Sequence, residues 1–313
     1  MFLVILSIVF MKIFIIFSKF NFNNFEGSIY ILQYLMPHKY KHILNRDCTP
    51  KLEYFCKVDE VSSVMPRAMH VHENLVEVLL VYEGSGIYTI DNNKYIAKKG
   101  DLIFYNSGVV HDEFGGNGSN LGTYCLGISN LKILKLGDNK IIEDNYCPII
   151  NCNEYFDDIL SMFDIIRKSI DVDGIHVAEF SNFLVQALVV KFRIIIEKNG
   201  DVKQIKEPSL ATKVKIYIDK NYNQNISFKS IAEAVNANQY YLSHIFKEET
   251  GFSPMQYVTR RRIGEAQNLL INTQLSITEI AANVGYNNSN YFQNVFKKIV
   301  GYTPGSYRKR WQV

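Results

Sequence analysis

Between residues 56 and 127 the chain runs in short apolar stretches broken by turn residues. Residues 77–82 (EVLLVY), 87–90 (IYTI), 95–97 (YIA) and 102–105 (LIFY) are separated by EGSG, DNN and KKGD. Apolar runs of this length at this spacing predict an antiparallel sandwich or barrel. The period changes near residue 153. Phe156, Ile159, Leu160, Phe163 and Ile166 recur at helical spacing, as do Phe180, Phe183, Leu184, Ala187, Leu188, Ile194 and Ile195. These two helices, parted by DVDG at 171–174, either pack onto the β region or form a dimer seam. Asn199-Gly200 and residues 203–208 read as a polar linker.

Past the linker every segment has helical periodicity, and the segment repeats. Phe246-Lys247 and Phe296-Lys297 lie 50 residues apart, as do Gly251 and Gly301, Pro254 and Pro304, Tyr257 and Tyr307, and Arg260 and Arg310. Ile231-Ala232 matches Ile280-Ala281 at an offset of 49, which places one extra residue in the turn of the second copy. Two copies of this length are a duplicated supersecondary unit rather than a solenoid.

Each copy has the logic of a helix-turn-helix, at about 226–251 and 275–301. Ile231, Ala232 and Val235 face inward on a short helix, and a turn at Asn236-Ala-Asn238 follows. A second helix at about 239–250 buries Leu242, Ile245 and Phe246, and ends at Gly251 with Pro254 beyond. Ile280, Ala281, Val284, Phe292, Val295 and Phe296 repeat the inward set. A helix at about 254–272 joins the copies and fixes the distance between them. Apolar periodicity alone would fit a helical bundle with no nucleic-acid role. The outer faces argue otherwise. Tyr240, Ser243 and His244 in the first copy, and Ser289, Asn290, Gln293 and Asn294 in the second, can donate to and accept from base edges. Lys247, Arg260, Arg261, Arg262, Lys297 and Lys298 are the basic residues placed to meet phosphates.

Charge supports this division. Residues 206–313 hold 14 Lys and Arg against 7 Asp and Glu, whereas the first 205 residues hold 20 against 24. The positive excess sits at the end expected to meet a polyanion. A 47% hydrophobic, 21% charged chain of 313 residues has room for two folded domains. Five scattered cysteines without a CxxC pair indicate reduced thiols rather than a zinc site or a disulfide framework. Residues 2–17 are apolar except for Ser7 and Lys12, slightly short of the roughly 20 residues of a membrane span. No small-residue cleavage site follows. A start at Met36 is the favoured reading and an N-terminal anchor the alternative; either leaves the rest of the protein in the cytoplasm.

The pattern formed by Ile231-Ala232, Phe246-Lys247, Gly251, Pro254, Tyr257, Arg262-Ile263, Ala266, Leu269-Leu270, Ile277, Ile280-Ala281, Val284-Gly285-Tyr286, Tyr291-Phe292, Phe296-Lys297, Gly301, Pro304 and Tyr307-Arg308 resembles the signature of the AraC/XylS family of bacterial regulators. The resemblance spans about residues 210–311. It implies two helix-turn-helix subdomains on double-stranded promoter DNA, usually in an activator that works with RNA polymerase. It also implies that the polar residues named above read bases.

His70-x-His72, Glu77, Gly84, Gly100, Gly108 and His111 resemble the two cupin motifs, with Asn106 where proline is usual and Gly115 where asparagine is usual. His70, His72, Glu77 and His111 could hold a divalent metal or hydrogen-bond a small effector such as a sugar. No nucleotide-binding glycine loop or nucleophile–base set is present. The expected architecture is α+β: residues 1–35 an apolar segment, 36–150 a cupin-like barrel, 151–205 a helical linker that could support a homodimer, and 206–313 the DNA-binding domain. The expected function is a small-molecule-responsive transcription regulator and not an enzyme. The alternative is a metal-dependent cupin enzyme, a dioxygenase or isomerase, fused to a DNA-binding module.

Overall fold

A computed structural model of the protein describes residues 43–311, apart from 46, 60–66, 92, 115–119, 171–175 and 202–208. The apolar N-terminal segment, Met36, Gly115, the turn at 171–174 and the linker at 203–208 lie outside the described residues. Two antiparallel sheets form the N-terminal part. One orders β1 (Lys51–Val58), β8 (Gly122–Ser129), β3 (Leu75–Glu83), β6 (Asp101–Tyr105) and β9 (Ile149–Asn151) as β1-β8-β3-β6-β9. The other orders β2 (Arg67–His70), β7 (His111–Phe114), β4 (Ser85–Ile90) and β5 (Asn93–Lys98) as β2-β7-β4-β5.

Strand β3 explains why residues 77–82 read as a nearly unbroken apolar run. It is central, and side chains alternate between two covered faces. Leu79 and Val81 face the other sheet and meet Tyr88, Ile90, Ala97, Ile103 and Tyr105. Val76, Val78 and Leu80 face outward onto α1 (Phe156–Ile170) and α2 (Val177–Asn199), against Phe163, Val185, Leu188 and Phe192. Both long helices therefore pack on the β region. Helix α2 also keeps a second apolar stripe: Phe180, Phe183, Ala187, Val190 and Ile194 are exposed. Asn106, where the cupin pattern usually has proline, is buried; it accepts from the Ile141 amide and donates to the Ile142 carbonyl, tying the loop after β6 to a distant segment.

The C-terminal part is α3 (Leu210–Asn221), α4 (Phe228–Ala234), α5 (Gln239–Thr250), α6 (Pro254–Asn272), α7 (Ile277–Asn283), α8 (Ser289–Val300) and α9 (Pro304–Trp311). The repeat is built from local signals. Ser227 and Ser276 each close a capping box on the first helix of a copy. Asn238 and Asn288 cap the second helices. Gly251 and Gly301 end them with φ of 79° and 88°, a left-handed conformation natural to glycine. Within each turn a left-handed residue recurs, Asn236 in one copy and Gly285 in the other. Ser253 boxes the start of α6 with Pro254 in its first turn, which makes the connection between the copies one continuous 19-residue helix. Each copy has its own core, one around Leu242 and Phe246, the other around Phe292 and Phe296. Among the described residues no helix is long and apolar enough to cross a membrane.

Candidate nucleic-acid interface and barrel site

The second helices of the two copies, α5 and α8, bury one face each and leave the other open. On α5, Tyr240 and His244 are exposed and Ser243 is half-buried, with Lys247 exposed in the last turn. On α8, Asn290 and Asn294 are exposed, Ser289 and Gln293 half-buried, and Lys297 and Lys298 exposed in the last turn. These outer faces are mainly neutral hydrogen-bonding surfaces, and Asn or Gln can bond adenine bidentately in the major groove. Sequence reasoning missed two exposed aromatics at equivalent positions, Tyr241 and Tyr291. The 50-residue offset that relates the two copies also relates this pair.

Arg260, Arg261 and Arg262, expected to meet phosphate, all lie on α6. All three guanidinium groups are engaged within the protein. Arg260 Nη2 donates to Asp112 Oδ2 at 2.6 Å, and its guanidinium lies over the Phe252 ring. Arg261, 1% exposed, donates from Nε to Asp219 Oδ1 at 3.1 Å and from Nη1 to the Met69 carbonyl at 3.3 Å. Arg262 donates to the carbonyls of Tyr222 and Gln224 at 2.7 and 2.8 Å, satisfying acceptors just beyond α3. Burial pulls the Arg262 guanidinium below its ordinary range. In the second copy Arg308 likewise bonds the Leu270 and Leu275 carbonyls. The lysines and arginines on α5 and α8 are Lys247, Lys297 and Lys298, all exposed.

The four cupin-pattern residues converge. His70, His72, Glu77 and His111 each offer a ligand atom, all within 4.8 Å of one another. Register explains it: His70 ends β2 directly opposite His111 at the start of β7, while Glu77 is an inward position of β3 on the facing sheet. Glu77 is wholly buried, the one buried charged residue of β3. Its Oε1 accepts from Tyr54 Oη at 2.8 Å and Cys125 Sγ at 2.9 Å; its Oε2 lies 2.9 Å from His111 Nε2 and 3.5 Å from His72 Nε2. The Tyr54 ring lies across Gly127, where a Cβ would occupy the ring's own space. Tyr105 stacks on His111 at 3.8 Å between centroids. Tyr54, Cys125 and Tyr105 carried no motif in the sequence and are found only through strand register.

The donor set fits a metal. Burial lowers the pKa of His111, and this outweighs the opposing effect of its bond to Glu77. His111 Nδ1 faces the Val109 carbonyl at 2.9 Å, which can only accept, so that nitrogen carries a proton. Nε2 lies 2.9 Å from Glu77 Oε2, a contact that needs a proton or a cation between the two atoms. Three imidazoles and one carboxylate are ordinary ligands for a divalent transition metal.

The barrel site touches the DNA-binding part through the neighbours of its ligands. Met69, next to His70, shares a buried cluster with Val214 and Ile218 of α3, Leu242 and Phe246 of α5 and Tyr257 of α6, and its carbonyl receives Arg261. Asp112, next to His111, receives Arg260. A cavity of about 1180 Å³ opens beside this junction, lined by His70, His72 and Tyr54 on one side and by Arg261, Gln267 and Asn268 of α6 on the other.

A helix-turn-helix domain family matches residues 231–310 and a cupin domain family matches residues 61–117. The uncharacterized HTH-type transcriptional regulator YdiP of Escherichia coli (strain K12) is 26% identical over 270 residues, covering 84% of this chain and 88% of that protein. The lactose operon transcription activator of Staphylococcus xylosus is 26% identical over 238 residues, covering 75% of this chain and 84% of that protein. The C-terminal domain of AraT, a response regulator from Geobacillus stearothermophilus, is 35% identical, covering 34% of this chain and 91% of that one, with a TM-score of 0.34. The repeat, the two domain matches and the relatives together define a DNA-binding transcription regulator with a cupin domain. The helix-turn-helix match over residues 231–310 falls on the repeat that resembles the AraC/XylS signature.

Proposed function

We propose that this regulator reads promoter DNA with α5 and α8 and that occupancy of the barrel, by a divalent metal or a small effector such as a sugar, sets how those helices are presented. His70, His72, Glu77 and His111 are the residues that would hold the occupant. Tyr240, Ser243, His244, Ser289, Asn290, Gln293 and Asn294 would contact bases, and Lys247, Lys297 and Lys298 would contact phosphates. Residues 36–150 would serve as the effector-binding part, 151–205 as a helical link and 206–313 as the DNA-binding part, in the cytoplasm. The observation that carries the regulatory reading is the adjacency of His70 to Met69 and of His111 to Asp112. Any shift of the two histidines on binding moves the Met69 carbonyl that Arg261 of α6 grips and the Asp112 carboxylate that Arg260 grips, and α6 is the helix that joins the two reading units.

The exposed stripe Phe180, Phe183, Ala187, Val190 and Ile194 advances by three and four residues, the spacing of a coiled-coil seam. It supports a homodimer through α2. Activation through RNA polymerase is supported by the activator named among the relatives. Footprinting of the full chain, with and without zinc, manganese and a panel of sugars, tests the proposal. Protection that changes on adding one of these and no longer changes in His111→Ala is the expected result. Protection indifferent to all of them would remove the sensor reading and leave DNA binding standing.

A further inference from the structure

The five cysteines are scattered in sequence, yet the β1–β8 ladder sets two of them side by side. Cys56 and Cys125 are directly opposite residues of this antiparallel pair. Directly opposed residues on such strands project to the same face, with Cα atoms about 4.5 or 5.5 Å apart. Either spacing lies within the roughly 4.4–6.8 Å that a disulfide spans. The shared face is the barrel interior: Cys125 belongs to the core between the sheets, and Cys56 packs against it. Both line the cavity of about 1180 Å³ that reaches the His/Glu cluster, and Cys56 is half-buried rather than sealed. Of the other three, Cys48 precedes β1, Cys147 lies before β9 and Cys152 is buried beside β9; none is opposite another cysteine in the ladders.

We propose that Cys56 and Cys125 form a dithiol–disulfide site that hydrogen peroxide entering the cavity oxidises. Cys56, the more open of the two, attacks one peroxide oxygen; the O–O bond breaks, and a sulfenic acid and one water result. The Cys125 sulfur then attacks the Cys56 sulfur. The new S–S bond forms as the S–O bond breaks, and the departing hydroxide leaves with the Cys125 proton as a second water. Two thiols are oxidised by two electrons, and one peroxide is reduced to two waters. The Cys125 S–H donates to Glu77 Oε1 at 2.9 Å in the structure, so forming the disulfide removes a hydrogen bond from the buried carboxylate at the centre of the His/Glu cluster. The site is thereby wired to that cluster, although its existence does not depend on metal or effector binding there.

The test uses the full chain, reduced, desalted and treated with one equivalent of hydrogen peroxide. The protein is then alkylated and digested without reductant for mass spectrometry. The expected product is a cross-link between the peptides that carry Cys56 and Cys125, lighter by two hydrogens and reopened by dithiothreitol. Cys48 and Cys147 should stay alkylatable. In Cys125→Ser the cross-link should vanish, and dimedone should trap Cys56 as a sulfenic acid. In urea the preference for this pair should be lost, because strand register creates it. Cys56 and Cys125 both remaining alkylatable in the folded protein would overturn the proposal. So would cross-links to Cys48 or Cys147 forming as readily, or the same pairing persisting in urea.

Discussion

Arg260 on α6 and Asp112 on β7 form an ion pair with a 2.6 Å contact between Nη2 and Oδ2. It joins the helix that spans both DNA-reading units to the strand that begins at His111. Both side chains are largely shielded from water, at 24% and 9% exposure, so solvent weakens the pair less than it would a surface ion pair. The pair can therefore act as a mechanical link between barrel and reading units.

If that link holds the two parts together, Arg260→Ala and Asp112→Ala should not act independently. A double-mutant cycle by chemical unfolding of the full chain should return a coupling energy of about 1–3 kcal/mol, the range for a charged hydrogen bond. Additive effects would show that the contact contributes nothing to the junction.

Gly127 should tolerate no side chain. Its Cβ would fall within the Tyr54 ring, and Tyr54 is the donor to Glu77. Gly127→Ala should lower stability by about 1–3 kcal/mol as an overpacked substitution. Tyr54→Phe, which keeps the ring and removes the hydroxyl, should lower it through the lost bond alone. A denaturation midpoint for Gly127→Ala equal to wild type would mean the ring has another place to go.

Burial holds the Asp219 carboxyl up at about 6, even though Arg261 and Tyr257 beside it pull the other way. Between the ordinary carboxylate value of about 4 and this raised value, the folded chain binds more protons than the unfolded one. The stabilising contribution of Asp219 protonation is thus complete below about 4 and lost as the pH rises through about 6. Measured against Asp219→Asn, the wild type should lose relative stability across that window and run parallel above it. Parallel curves throughout would refute the assignment.

The lysines and the arginines should separate by what they change. Lys247→Ala, Lys297→Ala and Lys298→Ala should each weaken binding to all DNA alike and reduce the salt slope by about 1. Arg262→Ala should instead lower thermal stability, because its guanidinium satisfies the Tyr222 and Gln224 carbonyls. A stable Arg262→Ala protein with a reduced salt slope would restore that residue to the DNA surface.

What was legible in the sequence was local. The Gly251 stop and the 3.6-residue period act within a few positions, so helix ends and outer faces could be placed from the chain alone. The cupin pattern likewise brought His70, His72, Glu77 and His111 together. The arginines show where local reading stops. A run of three basic residues beside a DNA-binding repeat reads as a phosphate clamp, but Asp112 lies 148 residues from Arg260 and Met69 lies 192 from Arg261. Only the packing of barrel against α6 shows that these guanidinium groups are already engaged. Tyr54 and Cys125 were illegible for the same reason: their role follows from register across β1, β8 and β3.

The central claim is that α5 and α8 read base sequence from two units held by one rigid helix. Selection of binding sites from random duplex DNA by the full chain tests it most directly, comparing wild type with Asn290→Ala/Gln293→Ala. The wild type should enrich a bipartite motif whose two blocks lie about one helical turn, roughly 10 base pairs, apart. The double variant should lose the preference in one block, at about 1–3 kcal/mol per lost bidentate contact, and keep it in the other. Enrichment of a single block, or a motif that survives unchanged in the variant, would contradict the account.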